Sequence, residues 1–444
     1  MIELLLILSQ LILFIFLFAK PTIFLVQNIK PKRYFEFYEN IVINLLIYLN
    51  LILILSFLNF KISEIISIYL ATVIFFYFLI FFKKNLFELK NSYFNYKILF
   101  VTFLCIIIFF DIASNLSLSW DTEKFWFLKV LNFSNGQKLE NLADYYRSHY
   151  PHFFDLMWAF FWKLSLIDHE YAGRLFYGFF YVISICLLAN TLKANKLIKL
   201  ISVMFIILCT YNYYEYLSGN KEIIIFSLIS IIVYFIYNIR EKIFTEQSYI
   251  LETLMFLLAS NLLIWVKQEG FIYLLNIIFA LTFFLNINLT KKIMIIFFCL
   301  AFYFLKILIY KFYNFNLDLK SCCYYDFTAD GILNKLTIER LFYIISFIIY
   351  VFFKNPILII GLFLGIIGSL NKKFFIKNIF IYSIILTSLV SIVVIFIMTD
   401  ANLEQMLKHG IERLIFNLIP IFVIMIIEYL NYFYWQFDLK KNKY

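Results

Sequence analysis

The run Ser119-Trp120-Asp121-Thr122-Glu123-Lys124-Phe125-Trp126 sets carboxylates, a cation and two indoles side by side in a chain that is otherwise almost all hydrocarbon. It lies near the start of the longest polar segment, residues 116 to 152, which also carries Asp144, Arg147, His149, Tyr150, Pro151 and His152. Packing gives a membrane protein no reason to collect so many titratable groups, so this loop reads as a reaction site. The sequence around it is apolar: 64% of the 444 residues are hydrophobic, 15% are charged, and mean hydropathy is +0.89. A water-soluble fold would lack the polar surface to cover such a core. Runs of roughly 17 to 22 apolar residues, enough to cross about 30 Å of hydrocarbon as helix, recur from end to end. The predicted fold is an all-α polytopic membrane protein with no soluble domain.

The net charge of +10 rests on lysines in short loops, where they set orientation during insertion; it does not mark a nucleic-acid partner. Abundant Phe, Ile, Lys and Asn with ten Gly point to an AT-rich genome, so a lone Tyr or Phe carries little weight. Cys105, Cys186, Cys209 and Cys299 lie inside apolar runs, and Cys322-Cys323 are neighbours in a later loop that read as free thiols. No metal-ligand spacing appears among them. The first run opens at Met1-Ile2-Glu3 with no basic leader and no small-residue cleavage site, and reads as a retained helix.

Apolar length and lysine placement predict about thirteen spans, by the thickness of the hydrocarbon layer. They fall near 2–19, 41–60, 63–82, 98–115, 171–192, 197–216, 222–239, 250–266, 270–288, 293–312, 356–370, 377–398 and 413–434. The amino terminus is then outside and the carboxyl terminus inside. Counting 152–167 or 341–353 as spans would break the charge rule, so both are expected to lie at the outer interface, the first with Asp155, Lys163, Trp158 and Trp162 at headgroup depth. This topology puts Asp121, Glu123, Arg147, His149, His152, Arg174, Glu222, Lys267, Glu269, Asp400, His409 and Arg413 near one face. A second outer loop, within 313–353, carries Asp318, Asp326 and Asp330. Few ionisable groups remain for the bilayer centre, Lys306 being one, which favours surface chemistry over conduction.

Each group also has a plain structural role open to it. Asp121 could cap a helix running from Glu123 to Leu131. Arg174 and Arg413 could anchor helix ends at the interface, and Lys267 could pair with Glu269 at the surface. His149 and His152 have a metal-like spacing but no third ligand. The order of the motifs adds to this. Trp120 to Lys129, then Tyr150-Pro151, then His169-Glu170-Tyr171-Ala172-Gly173-Arg174-Leu175, then Lys267-Gln268-Glu269-Gly270, and finally Arg413 ahead of Pro420, resemble the GT-C glycosyltransferases. The likeness is to bacterial relatives of protein mannosyltransferases and lipid A aminoarabinose transferases. It covers residues 98 to 435, leaving 1–97 as additional helices and 436–444 as a tail on the cytoplasmic side. Two departures stand out: Thr122 follows Asp121 where many members have a second acid, and Asn220-Lys221-Glu222 replaces a Gly-Tyr segment with its acid.

The resemblance implies transfer of a sugar from a polyprenyl phosphate to a glycan, lipid or protein acceptor, on the periplasmic face of a bacterial inner membrane. Asp121, or Glu123, would then be the general base; Arg174, Lys267 and Arg413 would hold the donor phosphate. Trp120, Trp126, His149, Tyr150, His152, Glu222 and Glu269 would line the substrate site. Metal is assigned to no residue, and a divalent cation is the one cofactor left open. The rival reading is a transporter or flippase of lipid-linked glycans, which predicts polar groups along a route through the membrane centre. A polymerase or ligase of the O-antigen type would carry its reactive loop late in the chain.

Overall fold

A computed structural model describes residues 2–18, 36–82, 96–145, 148–211, 217–315, 333–399 and 402–441. Arg147, Asp318, Asp326, Asp330, Asp400 and the Cys322-Cys323 pair lie outside the described residues. The chain forms α1 (Ile2–Phe18), α2 (Phe37–Phe57), α3 (Ile62–Phe82) and α4 (Tyr96–Ser114). A π-helical turn (Thr122–Trp126), α5 (Phe127–Ser134), a 3-10 turn (Leu139–Asp144) and α6 (Phe153–Lys163) follow. Next come α7 (Tyr171–Ala189), α8 (Lys196–Tyr211), α9 (Glu222–Phe244), α10 (Ile250–Ile264), α11 (Gln268–Phe284) and α12 (Leu289–Phe312). The last five helices are α13 (Ile338–Lys354), α14 (Pro356–Ser369), α15 (Lys372–Ile397), α16 (Leu403–Phe416) and α17 (Ile419–Lys441). Among the described residues there is no strand element.

Among the described residues seven helices, α2, α3, α4, α7, α9, α12 and α15, are long and apolar enough to cross a bilayer. The bent pairs α13–α14, with 104° between them, and α16–α17, with 41°, raise the number to nine if each counts as one span. This is fewer than the thirteen expected. Helices α1, α8, α10 and α11 have 15 to 17 residues. At 1.5 Å per residue they rise only about 23 to 26 Å, short of the hydrocarbon thickness.

Helices α7 and α9 form the centre, with 100% and 94% of their apolar windows buried inside the protein, against 22% for α3 and α12. The outward residues of those peripheral helices, such as Phe75, Phe78, Phe297 and Phe304, are the surface that lipid would cover. Helix α6, expected at the outer interface, is packed inside the protein, with Trp158 buried among helices. Phe153 to Phe161 are buried throughout, because α6 packs between α5 and α7. Gly173 allows the approach: a Cβ there would stand 2.1 Å from the Trp158 carbonyl oxygen.

Charges gather in two layers at opposite ends of α9, Glu222 at one and Arg240 at the other. Eighteen residues of helix separate them, a rise of about 27 Å that matches a hydrocarbon slab. At the second end Arg240 donates to Glu428 at 2.5 Å and to Asn378 at 2.8 Å, tying α9 to α17 and α15. Both charges of the Arg240–Glu428 pair are buried. Removing one strands the other away from water, so Arg240→Met should cost about 3–5 kcal/mol in chemical unfolding of the solubilised protein. Adding Glu428→Met should recover most of that loss; a single variant as stable as the parent would contradict the role given to this layer.

Candidate functional site

The loop after α4 is fastened to the start of α9. Ser119 Oγ donates to Asn220 Oδ1 at 2.8 Å, and the Thr122 hydroxyl reaches the same oxygen at 3.2 Å. Gly219 makes the crossing possible: its φ is +96°, and a Cβ would fall 2.5 Å from both Thr122 and Trp158. The helix expected over Glu123 to Leu131 begins instead as a single π turn, in which the Phe127 amide bonds to the Thr122 carbonyl. Such turns wind the backbone wider and re-aim side chains.

Asp121 does not cap this helix, since its backbone is already helical and its side chain accepts no capping bond. Its carboxylate meets Arg413 Nη1 instead, from 292 residues further along the chain. Arg413 lies in the last turn of α16, and Pro420 stands in the first turn of α17, so the two residues expected on one last helix flank its break. Beside this pair Lys267 donates to Glu222 at 2.5 Å, both buried. Lys267 precedes α11 directly, at the tight turn the sequence marks. Burial alone would lower its pKa, but the Glu222 and Glu269 carboxylates outweigh burial and raise it, so Lys267 stays cationic. The charge of Arg413 reaches both Glu222 and Lys267, which makes these four residues one electrostatic unit.

Behind that unit lies a second, fully buried cluster. Lys221 donates to Asp155 at 2.8 Å and to the Pro151 carbonyl at 2.7 Å, with its ammonium 3.8 Å from the Trp126 ring centre. Lys129 donates to the Tyr150 carbonyl at 2.7 Å, and Lys306 to the Ile264 carbonyl at 2.9 Å. His152 sits between Phe133 and Trp265, and among the described residues neither ring nitrogen has a hydrogen-bond partner. Burial pushes Lys129 down to about 7 and Lys221 to about 8, and pulls His152 well below its usual value. Burial also raises Asp155, against the pull of Lys221 and Lys129. Arg413 and Lys267 face Asp121, Glu222 and Glu269, and Lys221 faces Asp155, while Lys129, at about 7, carries only part of a charge near neutral pH. The Arg413 guanidinium and the Lys267 ammonium are the groups here that could meet an anion, with the Asp121 carboxylate beside them.

The other expected site residues are spread around this centre. Glu123 points outward, exposed and 3.1 Å from Lys124, so Asp121 is the acid that joins the cations. Trp120 is 66% exposed, whereas Trp126 is buried under the Lys221 ammonium. His149 is buried with its ring 4.6 Å from Tyr150. Glu269 is half-buried next to Lys267. Arg174 bonds to Glu170 at 2.8 Å and the Asn115 carbonyl at 3.5 Å, and its guanidinium lies 5.9 Å from the Trp158 ring centre. Its bonds go to none of Asp121, Lys267 or Arg413. The residues missing from the expected set are Lys129, Asp155 and Lys221, each within a stretch already marked as polar but with no sign of its distant partner. Among the described residues no three His, Cys, Asp or Glu side chains form a group able to hold a metal ion. No known protein family, curated protein or solved structure matches the chain.

The lysine shifts fix a pH dependence. Burial brings Lys129 and Lys221 down to about 7 and about 8 in the fold, against 10.5 for a lysine in water. Between those values the unfolded chain binds more protons, so stability rises with pH. The melting temperature should therefore increase from pH 7 to 9, by the sign of that linkage. Lys129→Met should show a smaller increase, and an identical slope in the variant would refute the assignment.

Proposed function

We propose that the Asp121–Arg413 and Glu222–Lys267 pairs form the centre of a glycosyltransferase that uses a polyprenyl-phosphate sugar on the periplasmic face of a bacterial inner membrane. The observation that supports it most is the meeting of Asp121 with Arg413, two residues that the motif order assigned to base and phosphate roles. In this reading the lipid phosphate of the donor takes the place of Asp121 on Arg413 and also contacts Lys267. Arg413 offers a planar fork to phosphate oxygens, and Lys267 a point charge. Freed from its partner, the Asp121 carboxylate takes the proton of the attacking acceptor hydroxyl. The new bond forms at the anomeric carbon, the carbon–oxygen bond to phosphate breaks, and its electron pair goes to the lipid phosphate. The cations stabilise that growing charge in a site shielded from water. Glu222 holds Lys267 in place, and the buried Lys221 adds positive potential from behind.

The test is incubation of membranes with a panel of radiolabelled polyprenyl-phosphate sugars, asking which label leaves the lipid fraction. Asp121→Asn keeps size and removes basicity, and should slow transfer by about 10²–10⁴-fold, the usual worth of a general base. Arg413→Gln should raise the donor KM more than the acceptor KM. Undiminished transfer by well-expressed Asp121→Asn protein would defeat the base assignment, and failure of every donor would defeat the reaction class.

A further inference from the structure

A cavity of about 200 Å³ opens at the end of the bundle opposite the acidic loop. Helix α4 starts at its rim with Tyr96 and Lys97 and ends at Ser114, where the chain turns toward Asp121. Helix α7 runs the other way, from beside Glu170 to Ala189 and Asn190 in the cavity wall. Among the described residues, Lys97, Lys196 and Lys199 line the opening with one carboxylate, Glu36. Glu36 is occupied: Lys97 donates to it at 2.9 Å and Asn190 Nδ2 at 2.5 Å. Lys199 leans on the Asn190 carbonyl at 3.2 Å, and Lys196 lies 5.0 Å over the Tyr96 ring. Among the described residues lining the cavity, Lys196 and Lys199 are ammonium groups beyond the Lys97–Glu36 pair, and α4 and α8 add the positive ends of their dipoles at the same rim.

We infer that this cavity binds the phosphate headgroup of an anionic membrane lipid. The apolar surroundings decide for a lipid over free phosphate. Leu99 and Phe103, 73% and 55% exposed, lie three and seven residues after the rim residue Tyr96 and so follow it along one face of α4. An acyl chain has a surface to lie against there, while its headgroup exchanges water for ammonium donors. This site is independent of the sugar-transfer reading, since it uses neither Asp121 nor Arg413.

The test is thermal stability of delipidated full-length protein in a neutral detergent, with phosphatidylglycerol, phosphatidylcholine or inorganic phosphate added. Phosphatidylglycerol should raise the melting temperature by several degrees and the other two should not. Lys196→Gln/Lys199→Gln should lose most of that shift, while Lys124→Gln/Lys408→Gln, which removes two exposed lysines outside the cavity, should keep it. An equal shift with inorganic phosphate would replace lipid by free phosphate as the ligand. An equal shift with phosphatidylcholine, retention of the shift in the first variant, or loss in both variants would overturn the site.

Discussion

An ion pair between Asp121 and Arg413 closes the two ends of this fold onto each other. One partner comes from the loop after α4 and the other from α16, so α4 through α16 must be folded for them to meet. Their side chains are 21% and 30% exposed, which leaves the pair within reach of a substrate yet shields it enough for the charges to attract. A fully buried pair would be walled off from ligand, and a fully exposed one would be worth little. The neighbouring Glu222–Lys267 pair carries the same arrangement inward.

The deeper cluster explains why the loop holds its position. Taking Lys221 and Asp155 out of water costs several kcal/mol per ion, and their contact with each other returns only part of it. Lys221 also bonds to the Pro151 carbonyl and lies over Trp126, so one ammonium fixes the π turn, the Tyr150-Pro151 corner and the start of α6. Hydrocarbon would fill this space at less cost. In the proposed reaction the network would hold its cations in place before any ligand arrives.

Much of the helical framework was legible because apolar runs of span length leave few alternatives. The long central helices α7 and α9 announce themselves that way. The burial of α6 was hidden for a physical reason: Asp155 and Trp158 read as solvent- or headgroup-facing, and nothing in the sequence signals that Lys221, 66 residues away, pairs with the acid. The break before Pro420 was hidden for a similar reason, since Asn417 and Leu418 interrupt no hydrophobic pattern. At the site, Asp121, Arg413 and Lys267 were named from motif order and Glu222 as a departure from it, but pairing is a tertiary fact. Arg174 shows the limit of such order: Glu170, one turn before it, takes its charge. Lys129 and Lys221 went unmarked because a lysine near an apolar run ordinarily serves to orient the helix.

The most direct measurement is a double-mutant cycle on the stability of the solubilised protein, using Asp121→Asn, Arg413→Gln and the pair together. If the two side chains share an ion pair, the single losses should fail to add, with a coupling of about 0.5–3 kcal/mol. Strictly additive losses would mean that Asp121 and Arg413 do not meet, and the site built on their contact would fall with it.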